Sequence, residues 1–191
     1  MDKKELRRRY LALRGSQPEE TLQAAGEGIC AEVLRLPEIE RSRTIMTYVS
    51  FGGEPDTHML IRRLTKMGKT VCAPRCDAAA GMMEAFAVSG MDSLAPGAYG
   101  ILEPKPERPV PPEKVDCILV PGCVFGQNFH RIGYGKGYYD KYLPLAARAV
   151  TIGLCYELCL VKWLEAEEFD VPVDLIVTEK GVLRRNEHPV F

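Results

Sequence analysis

No stretch of this chain approaches the roughly 18 uninterrupted apolar residues that a membrane-spanning helix needs. Its first residues, M-D-K-K-E-L-R, are polar and charged and lack the apolar core of a secretory signal. A membrane partner is therefore not expected, and a cytoplasmic location is. Neither sign of charge is in excess: 25 Lys and Arg oppose 26 Asp and Glu, for a net charge of −1, so no nucleic-acid surface is expected. Histidine is scarce, and His58, His130 and His188 have no ligand spacing. Ser50 and Cys123 have no neighbouring His/Asp pattern, which argues against a covalent hydrolase. No internal repeat or low-complexity tract is present. The seven cysteines are an odd count, read as reduced thiols. Cys72/Cys76 and Cys155/Cys159 are four apart rather than at the usual zinc spacing, and they lie in or beside strand-like apolar runs, as small core residues do.

What is present is a decapeptide rich in glycine, Arg131–Asp140, reading R-I-G-Y-G-K-G-Y-Y-D. Gly133, Gly135 and Gly137 alternate with side chains, so backbone N–H groups can approach an anion with no Cβ in the way. Arg131 and Lys136 can add positive charge, and Asp140 can hold a cation such as Mg²⁺. Tyr138 stands where a dinucleotide fingerprint needs its third glycine, and Lys136 is followed by Gly137 rather than Ser or Thr, so neither that fingerprint nor a P-loop is present. A structural turn before a helix is the plain alternative. The added charges favour a site for a phosphorylated ligand, most simply a nucleotide with Mg²⁺.

The length suits one domain, residues 1–191. Apolar spacing predicts a helix over 2–14, with Leu6, Tyr10 and Leu13 on its inner face and Gly15 as its stop. Ser16 and Glu19 suggest a capping box for a second helix, which ends before Pro37. Strands are predicted over 44–50, 70–73, 83–88, 115–120, 149–154 and 175–178. Helices are predicted after Asp56 or Thr57 and from about 137 to 147. Prolines between 104 and 112 mark an ordered surface loop. The alternation predicts an α/β fold, a mostly parallel sheet flanked by helices, with ligands at the carboxyl ends of its strands.

Three other constellations carry chemistry. Lys3 and Arg7 share a helix face and could clamp phosphate or carboxylate, although a solvated basic face is the commoner outcome. Glu54 follows a glycine turn in Y-V-S-F-G-G-E and could accept hydrogen bonds from ring N–H groups, or simply favour the next helix N-terminus. Asp174 opens an apolar strand and is either a turn residue or a second carboxylate for the cation at Asp140.

Taken in order, K-K-E-L-R, Y-V-S-F-G-G-E, A-P-R (73–75), G-I-L-E-P (100–104), V-P-G-C-V-F (120–125), the glycine–tyrosine motif and V-P-V-D-L-I-V-T-E resemble the 5-formyltetrahydrofolate cyclo-ligase family over nearly the whole chain. The resemblance implies a three-layer α/β sandwich of the sugar-phosphate isomerase and CoA transferase kind. It implies an ATP- and Mg²⁺-dependent closure of 5-formyltetrahydrofolate to 5,10-methenyltetrahydrofolate through a phosphorylated formyl group. It places ATP on Lys3, Lys4, Glu5, Leu6 and Arg7 and on Arg131, Ile132, Gly133, Tyr134, Gly135, Lys136, Gly137, Tyr138 and Tyr139. Arg131, Lys136 and Tyr139 are expected to be the catalytic groups. Folate is expected at Arg7, Val49, Glu54 and the run Tyr134–Tyr138, and Mg²⁺ at Asp140 and Asp174. The expected partners are reduced folate and ATP, and the expected state is a monomer. Gly126, Phe129, Cys159 and Phe169 depart from the family's usual Asp, Gly, Gln and His, with an altered phosphate loop or pocket edge as the expected consequence. A folate- or nucleotide-binding protein without turnover is the alternative, and a sugar-phosphate or acyl-CoA enzyme of similar layout a more distant one.

Overall fold

The computed structural model describes residues 2–97 and 100–185; His188 lies outside them. The chain opens with α1 (Lys3–Gly15), α2 (Glu19–Arg35) and α3 (Pro37–Arg41), followed by β1 (Thr44–Thr47) and α4 (His58–Lys66). Next come β2 (Thr70–Asp77), β3 (Met82–Val88), β4 (Leu94–Pro96), β5 (Leu102–Pro104), β6 (Pro109–Val110) and β7 (Cys117–Val120). The chain continues through β8 (Val124–Gly126), β9 (Arg131–Ile132), α5 (Tyr138–Tyr142), β10 (Val150–Leu154), β11 (Leu160–Val161), β12 (Leu175–Thr178) and β13 (Gly181–Arg184).

Eight strands form the central sheet in the order β13-β12-β10-β7-β1-β2-β3-β6. The pairings from β12 through β10, β7 and β1 to β2 are all parallel, whereas β13, β3 and β6 add antiparallel margins. Side chains of the inner strands alternate between two cores. Ile45, Cys117, Leu119, Leu175 and Val177 meet α2, α3 and α4 through Ile29, Val33, Ile39, Leu60 and Leu64. Met46, Ile118, Val120 and Ile176 face the other way, toward Phe125, Phe129, Tyr142 and Leu143. This two-sided burial is why the central strands are apolar without alternation in sequence. A small sheet, β11-β8-β9, lies on the second face.

Several local expectations need correction. Ser16 does not cap α2. Its hydroxyl donates to Leu13 O, it ends α1, and α2 follows Pro18 without a side-chain cap. Pro37 both stops α2 and occupies the first turn of α3, where its missing N–H costs nothing. The helix expected to reach 147 is only five residues of α-helix followed by a 3-10 turn over Leu143–Ala146, because Pro144 cannot continue the ladder. The proline-rich stretch contains β6, which lies at the sheet edge, where a missing donor is tolerated. On α1, Leu6 and Tyr10 pack inward as expected, but Leu13 is 37% exposed and Arg14 is buried in its place.

The departures at Gly126 and Phe129 lie in this second face rather than in a ligand-binding loop. Phe129 is the sole non-glycine residue with positive φ among the described residues, at 66°, and its ring is fully buried. Holding a side chain there costs about 1–2 kcal/mol, which burying a phenyl ring offsets by a similar amount. At Gly126 a Cβ would stand 2.2 Å from Asn128 Oδ1, the oxygen that accepts from Leu164 N. Glycine at 126 thus makes room for the buried Asn128 amide, which also donates to Leu164 O at 2.9 Å. Cys159 is likewise buried in this core.

Close packing around Phe125 gives a direct test. Its ring is fully buried beside Gly122 and Gly153, and a Cβ at Gly153 would lie 2.3 Å from it. Gly153→Ala is expected to lower the unfolding free energy by about 1–3 kcal/mol through overpacking. Adding Phe125→Leu to that variant should recover part of the loss, as read by guanidinium unfolding.

Candidate active site

A cleft of about 750 Å³ opens at the carboxyl ends of the central strands. Tyr48 and Val49 follow β1, Pro121 follows β7, and Pro74 and Cys76 come from the far half of β2. The whole run from Arg131 to Lys141 lines it, together with Lys3 and Arg7 of α1. A second rim comes from Ile101, Leu102 and Glu103, and a third from Glu167, Phe169 and Asp170. The expected location at the strand ends is therefore where the cavity lies.

The glycine loop has the backbone that its sequence requires. Gly135 and Gly137 have φ of 93° and 66°, and Gly137 precedes the first turn of α5. Gly135 also lies against α1, where a Cβ would be 3.2 Å from Arg7 Nη2. Arg7 Nε donates to Gly133 O at 2.6 Å. Arg131, expected to face phosphate, is buried and engaged on both sides. Its Nη1 donates to Val171 O at 2.8 Å and its Nη2 to Asp140 Oδ1 at 3.0 Å. Its guanidinium also lies 5.9 Å from the Tyr139 ring. Lys136, by contrast, is exposed on the cleft wall and has no partner among the described residues. The Tyr139 hydroxyl is buried without a hydrogen-bond partner among the described residues.

Of the α1 residues, only those on one helix face reach the cleft. Lys3 Nζ is 2.5 Å from Asp170 Oδ2 and 3.2 Å from Glu167 Oε1. Burial opposes its charge, but those two carboxylates outweigh it and raise its pKa. Lys4, Glu5 and Leu6 do not line the cleft; Leu6 packs against Val124, Ile132 and Leu164, and Glu5 N is capped by Asp2.

Opposite the glycine loop, Gly52 and Gly53 turn the chain with φ of 56° and 77° and deliver Glu54. Tyr48 Oη donates to Pro55 O at 2.9 Å and Tyr156 Oη to Glu54 O at 3.2 Å, so two buried phenols fix the turn. Phe51 N donates to Glu54 Oε2 at 3.1 Å. Burial pushes the Glu54 carboxyl up to about 7; the Phe51 N–H, the Tyr134 hydroxyl and the Arg14 charge pull the other way. Arg14, which sequence reasoning missed, is 3% exposed, and its Nη2 donates to both Gly52 O and Tyr134 Oη at 3.0 Å. Its signal was the spacing 3, 7, 10, 14, which sets Lys3, Arg7, Tyr10 and Arg14 along one helix face.

The expected pair of metal carboxylates does not meet in the cleft. Asp140 lines it, with Oδ1 accepting from Arg131 and from Val171 N. Asp174 does not line it. Its carboxylate accepts from Thr151 N at 2.9 Å and Thr151 Oγ1 at 2.8 Å, beside the amino ends of β10 and β12. Among the described residues no cluster of three His, Cys, Asp or Glu could hold a metal. The remaining Asp140 oxygen, Oδ2, has no protein partner among the described residues. One such carboxylate fits Mg²⁺, which takes few protein ligands when phosphate oxygens and water complete its shell.

The chain is similar to known proteins over most of its length. The 5-formyltetrahydrofolate cyclo-ligase family matches residues 1–179. The 5-formyltetrahydrofolate cyclo-ligase of Escherichia coli K12 is 30% identical over 182 residues, covering 93% of this chain and 98% of its own. A probable 5-formyltetrahydrofolate cyclo-ligase of Schizosaccharomyces pombe is 29% identical, covering 89% of this chain and 91% of its own. The solved 5,10-methenyltetrahydrofolate synthetase of Aquifex aeolicus superposes with a TM-score of 0.88 at 32% identity, over 100% of this chain and 96% of its own.

The Glu54 carboxyl makes a prediction about stability. Its folded pKa of about 7 lies above the ordinary 4.5, so between these values the folded state holds the proton more tightly. The stability this contributes is complete below about pH 4.5 and is lost as pH rises through about 7. The difference in urea-unfolding free energy between the parent protein and Glu54→Gln should therefore slope downward across that window and flatten above it. A difference independent of pH would contradict the buried, unpaired carboxyl.

Proposed function

The chain belongs to the 5-formyltetrahydrofolate cyclo-ligase family, and from that premise we propose that it closes 5-formyltetrahydrofolate to 5,10-methenyltetrahydrofolate at the expense of ATP. The observation that supports this best is the pairing, across one cleft, of a glycine loop bearing an unengaged lysine with a buried carboxyl. The two ends suit two different ligands. Backbone N–H groups of the loop 133–137 and the Lys136 ammonium suit a polyphosphate. Glu54, seated among tyrosines and next to Val49, suits the ring N–H groups of a pterin.

In this reading the formyl oxygen attacks the γ-phosphorus and ADP leaves. The second folate nitrogen then attacks the activated formyl carbon, and the oxygen departs with phosphate. No protein nucleophile is needed, so the protein's contribution is alignment of the two ligands and neutralisation of the transferring phosphoryl group. Lys136 supplies mobile positive charge. Arg131 contributes mainly by fixing Asp140 and the start of the loop, and Arg7 by gripping Gly133. Asp140 would hold an Mg²⁺ ion accompanying the nucleotide, and the ion would screen phosphate charge. Asp174 has no part in this account. Phe169, at the cleft rim 5.9 Å from Lys3 Nζ, replaces a polar ring with an exposed phenyl that can cover a planar ligand.

The near-ultraviolet absorbance of the methenyl product should rise only when 5-formyltetrahydrofolate, ATP and Mg²⁺ are all present. Binding of the folate with no ADP release would instead indicate a binding protein. Lys136→Met should lower kcat by about 100-fold or more while the far-ultraviolet circular dichroism stays unchanged. Asp140→Asn should raise the Mg²⁺ requirement. Asp174→Asn should leave that requirement unchanged while lowering stability.

A further inference from the structure

Resting on the cyclo-ligase reading of the cleft, we propose that the turn Glu167–Asp170 is the nucleobase shelf of the site, with the Phe169 ring as the surface on which the base of the nucleotide stacks. Phe169 lines the cleft and, at 68%, is the most exposed large apolar side chain among the described residues. The turn that carries it is nevertheless braced on every side. Asp170 Oδ2 accepts from Glu167 N at 2.7 Å, and Asp170 N donates to Glu167 O at 3.0 Å, which closes the turn around Phe169. Lys3 Nζ lies 2.5 Å from the same Asp170 oxygen and 3.2 Å from Glu167 Oε1, so α1 grips the turn from outside. One residue further on, Val171 gives its carbonyl to Arg131 and its N–H to Asp140, the two residues that bound the glycine loop.

Helix α1 sets the order of the parts along the cleft. Lys3 meets the 167–170 turn, Arg7 Nε meets Gly133 O, and Arg14 Nη2 meets Gly52 O and Tyr134 Oη. By the rise of an α-helix, Arg7 stands about 6 Å and Arg14 about 16 Å along the axis from Lys3. The glycine loop therefore lies between Phe169 and the turn that delivers Glu54. Phosphoryl transfer needs the attacking and leaving oxygens roughly in line. With the formyl oxygen approaching from the Glu54 side, ADP leaves toward the opposite side, and its base falls where Phe169 stands. The rim at Ile101–Glu103 has no ring to stack on.

Every base has a π-face, so stacking does not read hydrogen-bond pattern, and a two-ring purine presents more of that face than a pyrimidine. The shelf therefore favours purine over pyrimidine nucleotides. Fixing the ring before the ligand arrives lowers the ordering cost of binding, which is the use of bracing a residue that packs against nothing.

The test measures equilibrium binding of ATP, CTP, inorganic tripolyphosphate and 5-formyltetrahydrofolate to the full chain and to Phe169→Ala and Phe169→Trp, with steady-state kinetics alongside. The parent should bind ATP more tightly than CTP. Phe169→Ala should weaken ATP binding by about tenfold, and tripolyphosphate and folate binding by no more than about twofold. The loss should appear in KM for ATP rather than in kcat, and Phe169→Trp should keep the parental affinity. An ATP loss matched by tripolyphosphate would mean that the turn serves the phosphates. Loss of folate binding would put a folate ring on Phe169 instead. Either result, an unchanged ATP affinity in Phe169→Ala, or CTP bound by the parent as tightly as ATP would overturn the shelf. A parent that forms methenyl product while Phe169→Ala binds ATP unaltered overturns the shelf alone. A parent that forms no product from 5-formyltetrahydrofolate, ATP and Mg²⁺ overturns the cyclo-ligase reading, and this assignment with it.

Discussion

A loop with a glycine at every second position cannot hold its own shape, and the site depends on how that shape is imposed from outside. Glycine surrenders more backbone freedom on ordering than any other residue. Here three guanidinium groups oppose that loss. Arg7 takes the Gly133 carbonyl, Arg14 the Tyr134 hydroxyl, and Arg131 anchors the entrance of the loop to Asp140 and the Val171 carbonyl. Arg7 and Arg14 reach the loop from two positions on α1, and Arg131 holds it from its own first residue. The arginines are thus more informative about the site's shape than about its charge, and Lys136 has no partner among the described residues.

The parallel sheet makes this arrangement possible. Both faces of its inner strands are buried, so side chains of β1, β7 and β12 alternate between two separate cores and leave the strand ends as the place for chemistry. Residues after β1 provide the Glu54 turn, and the hairpin β8–β9 feeds straight into the glycine loop. The hairpin is held in turn by Phe125, packed against glycines of β10 and of the loop after β7. A change in that core would therefore be felt at the mouth of the site.

Much of this was legible in the sequence, and the limits have physical reasons. The central strands and the long helices follow from apolar periodicity, and Leu175–Thr178 was read at its true bounds. Short strands such as β8, β9 and β11 were missed because two or three residues have no period to detect. The glycine loop, Arg7 and Glu54 reach the expected cleft because their motifs are local, and local spacing survives folding. Asp140 and Asp174 were paired by the chemistry of Mg²⁺ and by the family resemblance, not by any local spacing. Tertiary geometry turned Asp174 toward Thr151, at a different part of the sheet. Arg14 was missed because a charge is read as solvent-facing unless something shows what buries it.

The positions that differ from the family's usual residues show how a site can be kept while its supports change. A glycine is the expected answer where φ is positive, yet Phe129 stands there with its ring in the core. Its strain is local, whereas the burial it gains joins the β8–β9 hairpin to Val173 through the bond from Val173 N to Phe129 O. Gly126 then yields the space that lets Asn128 tie the same hairpin to Leu164. Both substitutions act on the hairpin that carries Arg131, and neither side chain lines the cleft. Phe169 is the departure that does line it, exposed at the rim and away from the glycine loop's own backbone.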